Sequence, residues 1–285
     1  MEKITIGYIF NDPTFEKDEK YFMKVAKEKN VNLVMINTAK DLNEEELEEK
    51  IKKCGIFFNN SAEDFAFEIV KTIEELGKRV IESSKVFYYV EDKWMFALKC
   101  MKHKIPIPET ILLSQNWNII KGELEKFNHW PVILKRIEGT MGQYVDKADN
   151  LRQAEKIINK FWKKGSDKLP IIAQEFIRSP SYRVTAVGGK VVQTAIKDSK
   201  GWKATGVYAD HIGRFKVDKE LQGIINKINK EFKMKVYGVD LFKKDNHWVV
   251  LEINSAPGLD FFSNEEKKLV GEIIEFLKTQ IMKKH

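Results

Sequence analysis

The stretch that most constrains the fold of this chain runs from Val236 to Asp260 and reads VYGVDLFKKDNHWVVLEINSAPGLD. Two apolar, β-prone runs flank the polar tetrad KDNH at residues 244–247, which is the pattern of a β-hairpin. Each run also carries an acid that is unusual in a buried strand, Asp240 in the first and Glu252 in the second. The stretch therefore predicts a hairpin that buries two acids.

The spacing of the polar residues in this hairpin predicts a site for a divalent cation. Successive strand residues point to opposite faces, so Glu252 and Asn254 share a face. Folding the hairpin about Asp245 and Asn246 brings Asp240 nearly level with Glu252, so we expect two carboxylates and an amide oxygen to converge. Mg²⁺ prefers oxygen ligands of this kind. The alternative is a surface hairpin with its acids turned to solvent, but the flanking residues are too apolar for an exposed strand.

Length, cysteine usage and charge narrow the classes of protein to consider. The 285 residues can form two or three packed domains with a large core. No apolar run approaches the roughly 20 residues that span a bilayer, and the N-terminus lacks a signal-peptide pattern. Cys54 and Cys100 sit beside apolar residues, so we expect buried free thiols in a cytoplasmic protein without a membrane partner.

The net charge of +7 admits an acidic partner such as nucleic acid, a nucleotide or an acidic peptide. Lysines are spread along the whole chain, however, and this distribution favours a solvated basic surface over a nucleic-acid interface.

The first 90 residues alternate strands and helices. This alternation predicts a small parallel sheet that is covered on both faces. No glycine fingerprint for a dinucleotide follows the first strand, so we do not expect a cofactor domain here. Strands are predicted over residues 4–10, 31–36 and 55–60, and helices over residues 14–29, 43–52 and 61–77.

The remainder of the chain mixes helices and strands. The pair Gly188-Gly189 predicts a tight hairpin turn. Domain boundaries are expected near residue 91 and near residues 168–178. Helices are predicted over residues 91–103, 150–164 and 218–233, and strands over residues 131–137 and 170–177.

A lysine and a glycine-containing loop suggest a place for an anion. Lys135 ends the apolar run at 131–134, and a lysine at the edge of a buried strand usually faces a negative group. The loop EGTMG at 138–142 follows, and its glycines allow backbone N–H groups to approach an anion. It is not a Walker loop. On its own this pattern fits an ordinary hairpin equally well.

Several such motifs occur in a characteristic order. They are Asp92-Lys93, the Pro-x-Pro at 106–108, Lys135 with EGTMG, QEFI at 174–177, and GVD…EIN at 238–254. In this combination the sequence resembles the ATP-grasp superfamily, specifically its RimK-like branch of carboxylate–amine ligases. The likeness covers nearly the whole chain, most clearly residues 85–262.

The resemblance implies an α/β (α+β) chain with the ATP-grasp fold. A small N-terminal parallel α/β domain (1–90) would precede two α+β subdomains (91–173 and 174–285) that clasp ATP. It also implies an ATP- and Mg²⁺-dependent ligase, with Mn²⁺ as an alternative ion. Such a ligase forms an amide through an acyl phosphate, for example by adding glutamate to a carboxylated acceptor. We expect no nucleic-acid partner and leave a homo-oligomer open.

The resemblance also implies roles for individual residues by their position. Lys93, Lys135 and Lys197 would contact the phosphates, and Arg183 and Lys203 would face the reacting groups. The metal set would be Asp240, Glu252 and Asn254. A mobile loop over the phosphates would include Glu138, Gly139, Thr140 and Gly142, and the hinge at the adenine would be Gln174, Glu175, Phe176 and Ile177.

The sequence departs from the family pattern in three places. Ser181 stands where an Asp is common, and residues 143–145 are bulkier than the usual glycine. Residues 201–211 replace a stretch that contains arginine and asparagine, so we expect a rebuilt acceptor site lined by Tyr208, Asp210 and His211. Two alternatives to a ligase stay open: a basic nucleic-acid-binding protein on this scaffold without ligase activity, and a small-molecule kinase of the same fold.

Overall fold

The computed structural model describes residues 4–11, 17–40, 44–139, 142–163, 168–198, 201–203, 211–262 and 264–282. These residues form three sheets, of four, four and five strands. Each sheet buries apolar side chains against helices, as a layered α/β architecture requires.

The first sheet is parallel, and helices cover both of its faces, as the alternating pattern predicted. Its strand order is 2-1-3-4. Helices α1 and α9 pack on one face, and α2 and α3 pack on the other. The elements are β1 (Thr5–Phe10), α1 (Lys17–Glu28), β2 (Asn32–Asn37), α2 (Glu44–Lys53), β3 (Ile56–Asn59), α3 (Asp64–Glu75), β4 (Val80–Ile81) and α9 (Glu266–Met282).

The second sheet is antiparallel and is covered by two helices. Its strand order is 5-8-6-7. Helices α6 and α7 bury residues such as Ile120 and Ile158 against the strands. The elements are β5 (Thr110–Leu112), α6 (Trp117–Phe127), β6 (Val132–Arg136), β7 (Val145–Ala148), α7 (Leu151–Lys163) and β8 (Ile171–Glu175).

The third sheet is also antiparallel and carries the hairpin with the two acids. Its strand order is 11-10-9-12-13. Helices α4, α5 and α8 pack on it in one core. The elements are α4 (Ser84–Val90), α5 (Lys93–Lys102), β9 (Ser181–Val187), β10 (Lys190–Asp198), β11 (His211–Gly213), α8 (Lys219–Phe232), β12 (Val236–Lys244) and β13 (His247–Asn254).

Helix packing crosses the order of the chain in two places. Helices α4 and α5 precede the second sheet in sequence but join the core of the third sheet. Helix α9 follows the third sheet but packs against β1 and β3. The division into residues 1–90, 91–173 and 174–285 therefore stays a prediction about domains and does not describe which residues share a core.

Two hairpin turns lie where the sequence predicted them. Asp245 and Asn246 connect β12 to β13 with φ angles of 50° and 66°, and Gly188 and Gly189 connect β9 to β10 with φ angles of 59° and 86°. Two-residue turns with positive φ at both positions match the twist of the paired strands. A Cβ atom at Gly188 would also lie 2.8 Å from the ring of Phe276 in α9, so glycine is required there by space as well as by φ.

Cys54 and Cys100 are free and buried, as expected. In the part of the chain that the structure describes, no helix combines the length and apolar composition needed to cross a bilayer.

Candidate active site

The hairpin places its two acids directly opposite each other. Asp240 on β12 pairs with Glu252 on β13, and Gly238 pairs with Asn254. A β-bulge follows this pair, because Leu241 is opposite Val250 and Leu251 is left over. Bulges next to active sites re-aim side chains. The predicted convergence of Asp240 and Glu252 on the hairpin is confirmed.

Basic side chains from the neighbouring strands surround Asp240, which is 1% exposed. Arg183 on β9 pairs with Asp240 in register, and its Nε donates to Asp240 Oδ1 at 2.9 Å. Lys197 on β10 donates to the same oxygen at 3.2 Å. The amide oxygen of Asn254 is best placed toward Arg183, where it accepts from Nη1 at 3.1 Å. Asp240 Oδ1 is thus engaged by two cations.

The glycine that precedes Asp240 makes room for this arrangement. A Cβ atom added at Gly238 would collide with the guanidinium of Arg183 and would lie 3.2 Å from Pro257. Glycine in a strand interior often marks such a close approach. In the GVD motif, Gly238 therefore leaves the space that Arg183 needs to contact Asp240.

The charges of the two acids indicate where a cation would bind. Burial raises the pKa of Asp240, but the charges of Arg183 and Lys197 outweigh burial and lower this pKa overall. Burial and the neighbouring Asp240 raise the pKa of Glu252. A buried and a half-buried carboxylate in contact are costly without a shared cation. The carboxylate oxygens and the Asn254 amide are hard ligands, so the donor set fits Mg²⁺.

Two lysines approach the acids from the other sheets and helices. Asp92 caps α5 by accepting from the backbone N–H groups of Trp94 and Met95 at 2.8 and 2.9 Å. The cap places Lys93 in the first turn, where its Nζ donates to the carbonyl oxygen of Gly139 at 2.8 Å. Burial lowers the pKa of Lys93, and the Glu252 carboxylate acts in the opposite direction. Lys93 therefore links α5 to the glycine-containing loop.

Lys135 on β6 is 7% exposed. Its Nζ donates to Gln174 Oε1 at 2.8 Å, and Gln174 in turn donates to Thr110 Oγ1 at 3.0 Å. Burial lowers the pKa of Lys135 to about 8. Among the described residues, no carboxylate lies within hydrogen-bonding distance of this deeply buried lysine, which suits it to bind an anion.

The segment from Gln174 to Ile177 leaves β8 and forms one wall of the site. Glu175 is 7% exposed and accepts from Lys244 Nζ at 2.7 and 3.0 Å. His129 lies beside it and contacts Glu109 Oε2 through Nε2 at 2.9 Å. The ion pair between Glu175 and Lys244 ties the second sheet to the hairpin of the third.

Most of the predicted site residues line one cavity of about 300 Å³ between the second and third sheets. Its wall includes apolar residues such as Phe96, Ile133 and Phe242 in addition to the lysines and the acids. The predicted residues in its wall are Lys93, Lys135, Gly139, Gly142, Gln174, Glu175, Phe176, Ile177, Arg183, Lys203, Asp240, Glu252 and Asn254.

Three predicted residues lie outside this wall, and three more lie outside the described residues. Glu138 is exposed and is not part of the cavity wall that the described residues form. Lys197 is not part of that wall either, and its ammonium contacts Asp240 Oδ1, the oxygen that Arg183 also contacts. His211 is exposed on β11. Thr140 lies outside the described residues, as do Tyr208 and Asp210.

The cavity also contains residues that sequence reasoning did not identify as functional. Ala62, Glu91, Trp202 and Ser255 line it. Glu91 and Ser255 directly adjoin motif residues in the sequence, and this adjacency could have identified them. Their contact with each other joins residues 164 positions apart, which no short-range pattern predicts.

The arrangement suits a nucleotide with a chain of phosphates. An apolar slot can take a base, two lysines and an arginine can neutralise phosphate oxygens, and the acids can hold a divalent cation between them. The lysines, the arginine and the acids of this cavity suit a site that acts by positioning and charge stabilisation.

Comparisons with known proteins agree with this geometry. The sequence profile of the RimK-like ATP-grasp domain matches residues 90–277. A probable α-L-glutamate ligase of Legionella pneumophila is 27% identical over 216 residues, which cover 74% of this chain and 70% of that protein. A coenzyme γ-F420-2:α-L-glutamate ligase of Methanocaldococcus jannaschii is 27% identical over 243 residues, 80% of this chain and 81% of that protein.

The fold has a similar relative among solved structures. The crystal structure of a RimK domain ATP-grasp protein from Sphaerobacter thermophilus aligns with a TM-score of 0.76 and 15% identity. The alignment covers 95% of this chain and 98% of that one. This likeness establishes the ATP-grasp fold expected from the sequence.

Proposed function

Because this chain belongs to the RimK-like ATP-grasp family, we propose that its cavity is the active site of an ATP-dependent ligase that joins a carboxylate to an amine. One observation carries the assignment of the site. The lysines, the arginine, the paired acids and the hinge segment line a single cavity, although they come from two sheets and a helix. The comparisons do not favour a nucleic-acid-binding protein or a kinase that stops at phosphorylation.

The residues divide the cavity into a base end and a phosphate end. Gln174, Glu175, Phe176 and Ile177 would meet the adenine along the apolar wall. Lys93 and Lys135 would bind the phosphates, and the loop with Gly139 and Gly142 would lie over them. Lys93 already contacts the Gly139 carbonyl at 2.8 Å, so closure of this loop and phosphate binding would be coupled.

The metal set would be Asp240, Glu252 and Asn254. Arg183 and Lys197 hold Asp240 in place and keep it ionised by occupying Oδ1, which leaves its second oxygen for the cation. When bound, Mg²⁺ or Mn²⁺ would supply positive charge to the phosphate oxygens and fix their geometry.

The reaction itself would use positioned charges and no protein nucleophile. The substrate carboxylate would attack the γ-phosphorus in line, while Lys93, Lys135 and Arg183 offset the charge on the transferring oxygens. An amine would then attack the acyl carbon, with release of phosphate and formation of the amide. Lys203, which lies in the cavity wall, would contribute charge on the acceptor side.

We propose L-glutamate as the amine, because both curated relatives described above are named as glutamate ligases. Arg183 and Lys203 favour an acceptor that carries its reactive carboxylate into a basic pocket.

A screen of carboxylates against amines with ATP and Mg²⁺, read as ADP release, tests this function. We expect ADP release that requires both a carboxylate and an amine, and an amide product by mass spectrometry. Glu252→Gln should abolish this turnover and leave the fold intact, because it removes one charge from the metal set. Full turnover of Glu252→Gln would refute the metal assignment, and ADP release independent of any amine would refute the ligase.

A further inference from the structure

Among the residues that the structure describes, four acidic side chains line the cavity, and one of them has no assigned role in binding ATP or metal. Glu175 and Asp240 form ion pairs within the protein, with Lys244 and Arg183. Glu252 belongs to the proposed metal set. Glu91 is the fourth acid, and the nucleotide-binding residues leave its charge unexplained.

Glu91 is held at a defined place in the wall. It follows α4 and immediately precedes Asp92, the cap of α5. Its Oε1 accepts from Ser255 Oγ at 3.0 Å, and Ser255 is 1% exposed. This bond to a neutral hydroxyl is the hydrogen bond that its side chain makes within the described part of the chain. The ammonium of Lys93, the basic group beside it, is directed to the carbonyl oxygens of Gly139 and Ile137 instead.

The environment of Glu91 favours a cationic ligand. Burial raises the pKa of Glu91 to about 7, and the attraction of Lys93 only partly opposes this effect. A carboxylate that is desolvated without a cation gains free energy when a cation arrives. The neutral Ser255 orients the carboxylate but does not supply that charge.

The position of Glu91 relates it to the second substrate. Ser255, which contacts Glu91, directly follows Asn254 in the chain, and the charges of Lys93 and Glu252 act on Glu91. Glu91 is therefore a neighbour of the residues proposed to bind the phosphates and the metal, which form the proposed phosphate end. The amide forms at this end, because the acyl phosphate arises at the γ-phosphate. Ala62, from the loop between β3 and α3, also lines the cavity. The carboxyl ends of parallel strands in an open α/β sheet commonly face ligands.

On the basis of the proposed function, we propose that Glu91 binds the ammonium group of the amine substrate, with Ser255 orienting its carboxylate. This assignment adds a subsite for a primary ammonium to the ATP and metal residues. It predicts that amino acids are recognised as amines by a charge pair and not by size alone.

A binding experiment tests the subsite without knowledge of the acceptor. The full chain is saturated with Mg²⁺ and the analogue AMP-PNP, and L-glutamate and glutarate are titrated in turn by calorimetry. Glutarate has both carboxylates of glutamate but lacks the ammonium. We expect glutamate to bind wild type more tightly than glutarate, and Glu91→Gln to remove this preference by weakening glutamate roughly 10- to 100-fold. Glutarate binding should be unchanged.

Three variants separate the subsite from a structural effect. Glu91→Gln should bind AMP-PNP as wild type does, which shows that it folds. Ser255→Ala should weaken glutamate less than Glu91→Gln, because the charge remains. Glu125→Gln, the same change at an exposed site on α6, should have no effect. Retention of the glutamate preference by Glu91→Gln, or equal binding of glutamate and glutarate by wild type, would overturn the proposal.

The outcome of the titrations does not depend on whether the proposed function is correct. Absence of ADP release with every carboxylate and amine would reject the ligase, whereas the glutamate and glutarate titrations need no turnover. Hydroxylamine, which is mostly uncharged at neutral pH, gives a second comparison. With an active carboxylate, Glu91→Gln should raise the KM for glutamate by a larger factor than the KM for hydroxylamine. An equal loss in both reactions would contradict the ammonium role.

Discussion

The clearest quantitative prediction concerns Lys135, whose burial in the ligand-free protein should oppose folding. Burial lowers its pKa from 10.5 to about 8, which corresponds to about 3 kcal/mol of free energy against the charged form. Replacing Lys135 with methionine removes this cost and also loses the hydrogen bond to Gln174, which is worth about 1 kcal/mol. We therefore expect Lys135→Met to raise the free energy of unfolding by about 2 kcal/mol at pH 7.

The pH dependence of this gain follows from the direction of the shift. Below pH 8 the lysine is charged in both the folded and the unfolded chain, so the folded state bears the whole cost. Between about pH 8 and 10.5 the folded lysine is neutral while the unfolded one keeps its proton. Wild-type stability should therefore rise with pH in this window, and the advantage of methionine should disappear.

Urea denaturation followed by tryptophan fluorescence, with and without ATP and Mg²⁺, measures both effects. Wild type should gain about 2.7 kcal/mol when the nucleotide is present at 100 times its Kd, and Lys135→Met should gain far less. Lys126→Met on the exposed face of α6 is the matched control and should change stability by less than about 0.5 kcal/mol. A Lys135→Met protein that unfolds more easily than wild type without nucleotide would refute the reasoning.

Three further predictions use other parts of the structure. Gly238→Ala should destabilise the protein by about 1–3 kcal/mol and lower turnover, because the new Cβ collides with Arg183. The control Gly122→Ala, in open space on α6, should stabilise the protein by about 0.5–1 kcal/mol. Urea denaturation and ADP release measure both variants. Burial raises the pKa of Glu82 from 4.5 to about 7, so this carboxyl should remove about 3 kcal/mol of stability as pH rises through that window. Glu82→Gln should flatten this part of the stability–pH curve, and an unchanged curve would contradict the assignment. Burial raises the pKa of the Cys54 thiol to about 11 and raises the pKa of the Cys100 thiol further. Both thiols should therefore react with a disulfide reagent at pH 8 only after the protein unfolds. Rapid reaction of the folded protein would contradict their burial.

The acid-bearing hairpin is the part of the site that could be read from sequence. The turn residues Asp245 and Asn246 adopt positive φ readily and set the register of the strands beside the turn. Continuation of that register would pair Asp240 with Leu251, and the β-bulge after Asp240 shifts the pairing so that Glu252 lies opposite it. The parallel first sheet was also readable, since the period of its apolar residues separates strands from helices.

Other features required contacts between residues that are distant in the chain. Arg183 engages Asp240 because β9 lies beside β12 in the third sheet, and strand order is not encoded in any short pattern. For the same reason, the sequence did not show that Lys197 contacts Asp240 Oδ1 and is not part of the cavity wall that the described residues form. The chemistry of the residues was visible in both cases, but their partners were not.

The amino-acid sequence by itself determined the hairpin and the family, because both depend on residue types at short, regular spacings. Only the tertiary structure decided that α4 and α5 pack on the third sheet, and with them that Glu91 meets Ser255 in the cavity wall. The physical reason is that burial of apolar helix faces selects one packing among several that the same local elements allow. This packing also sets the environment of the charged groups near the contact between Glu91 and Ser255.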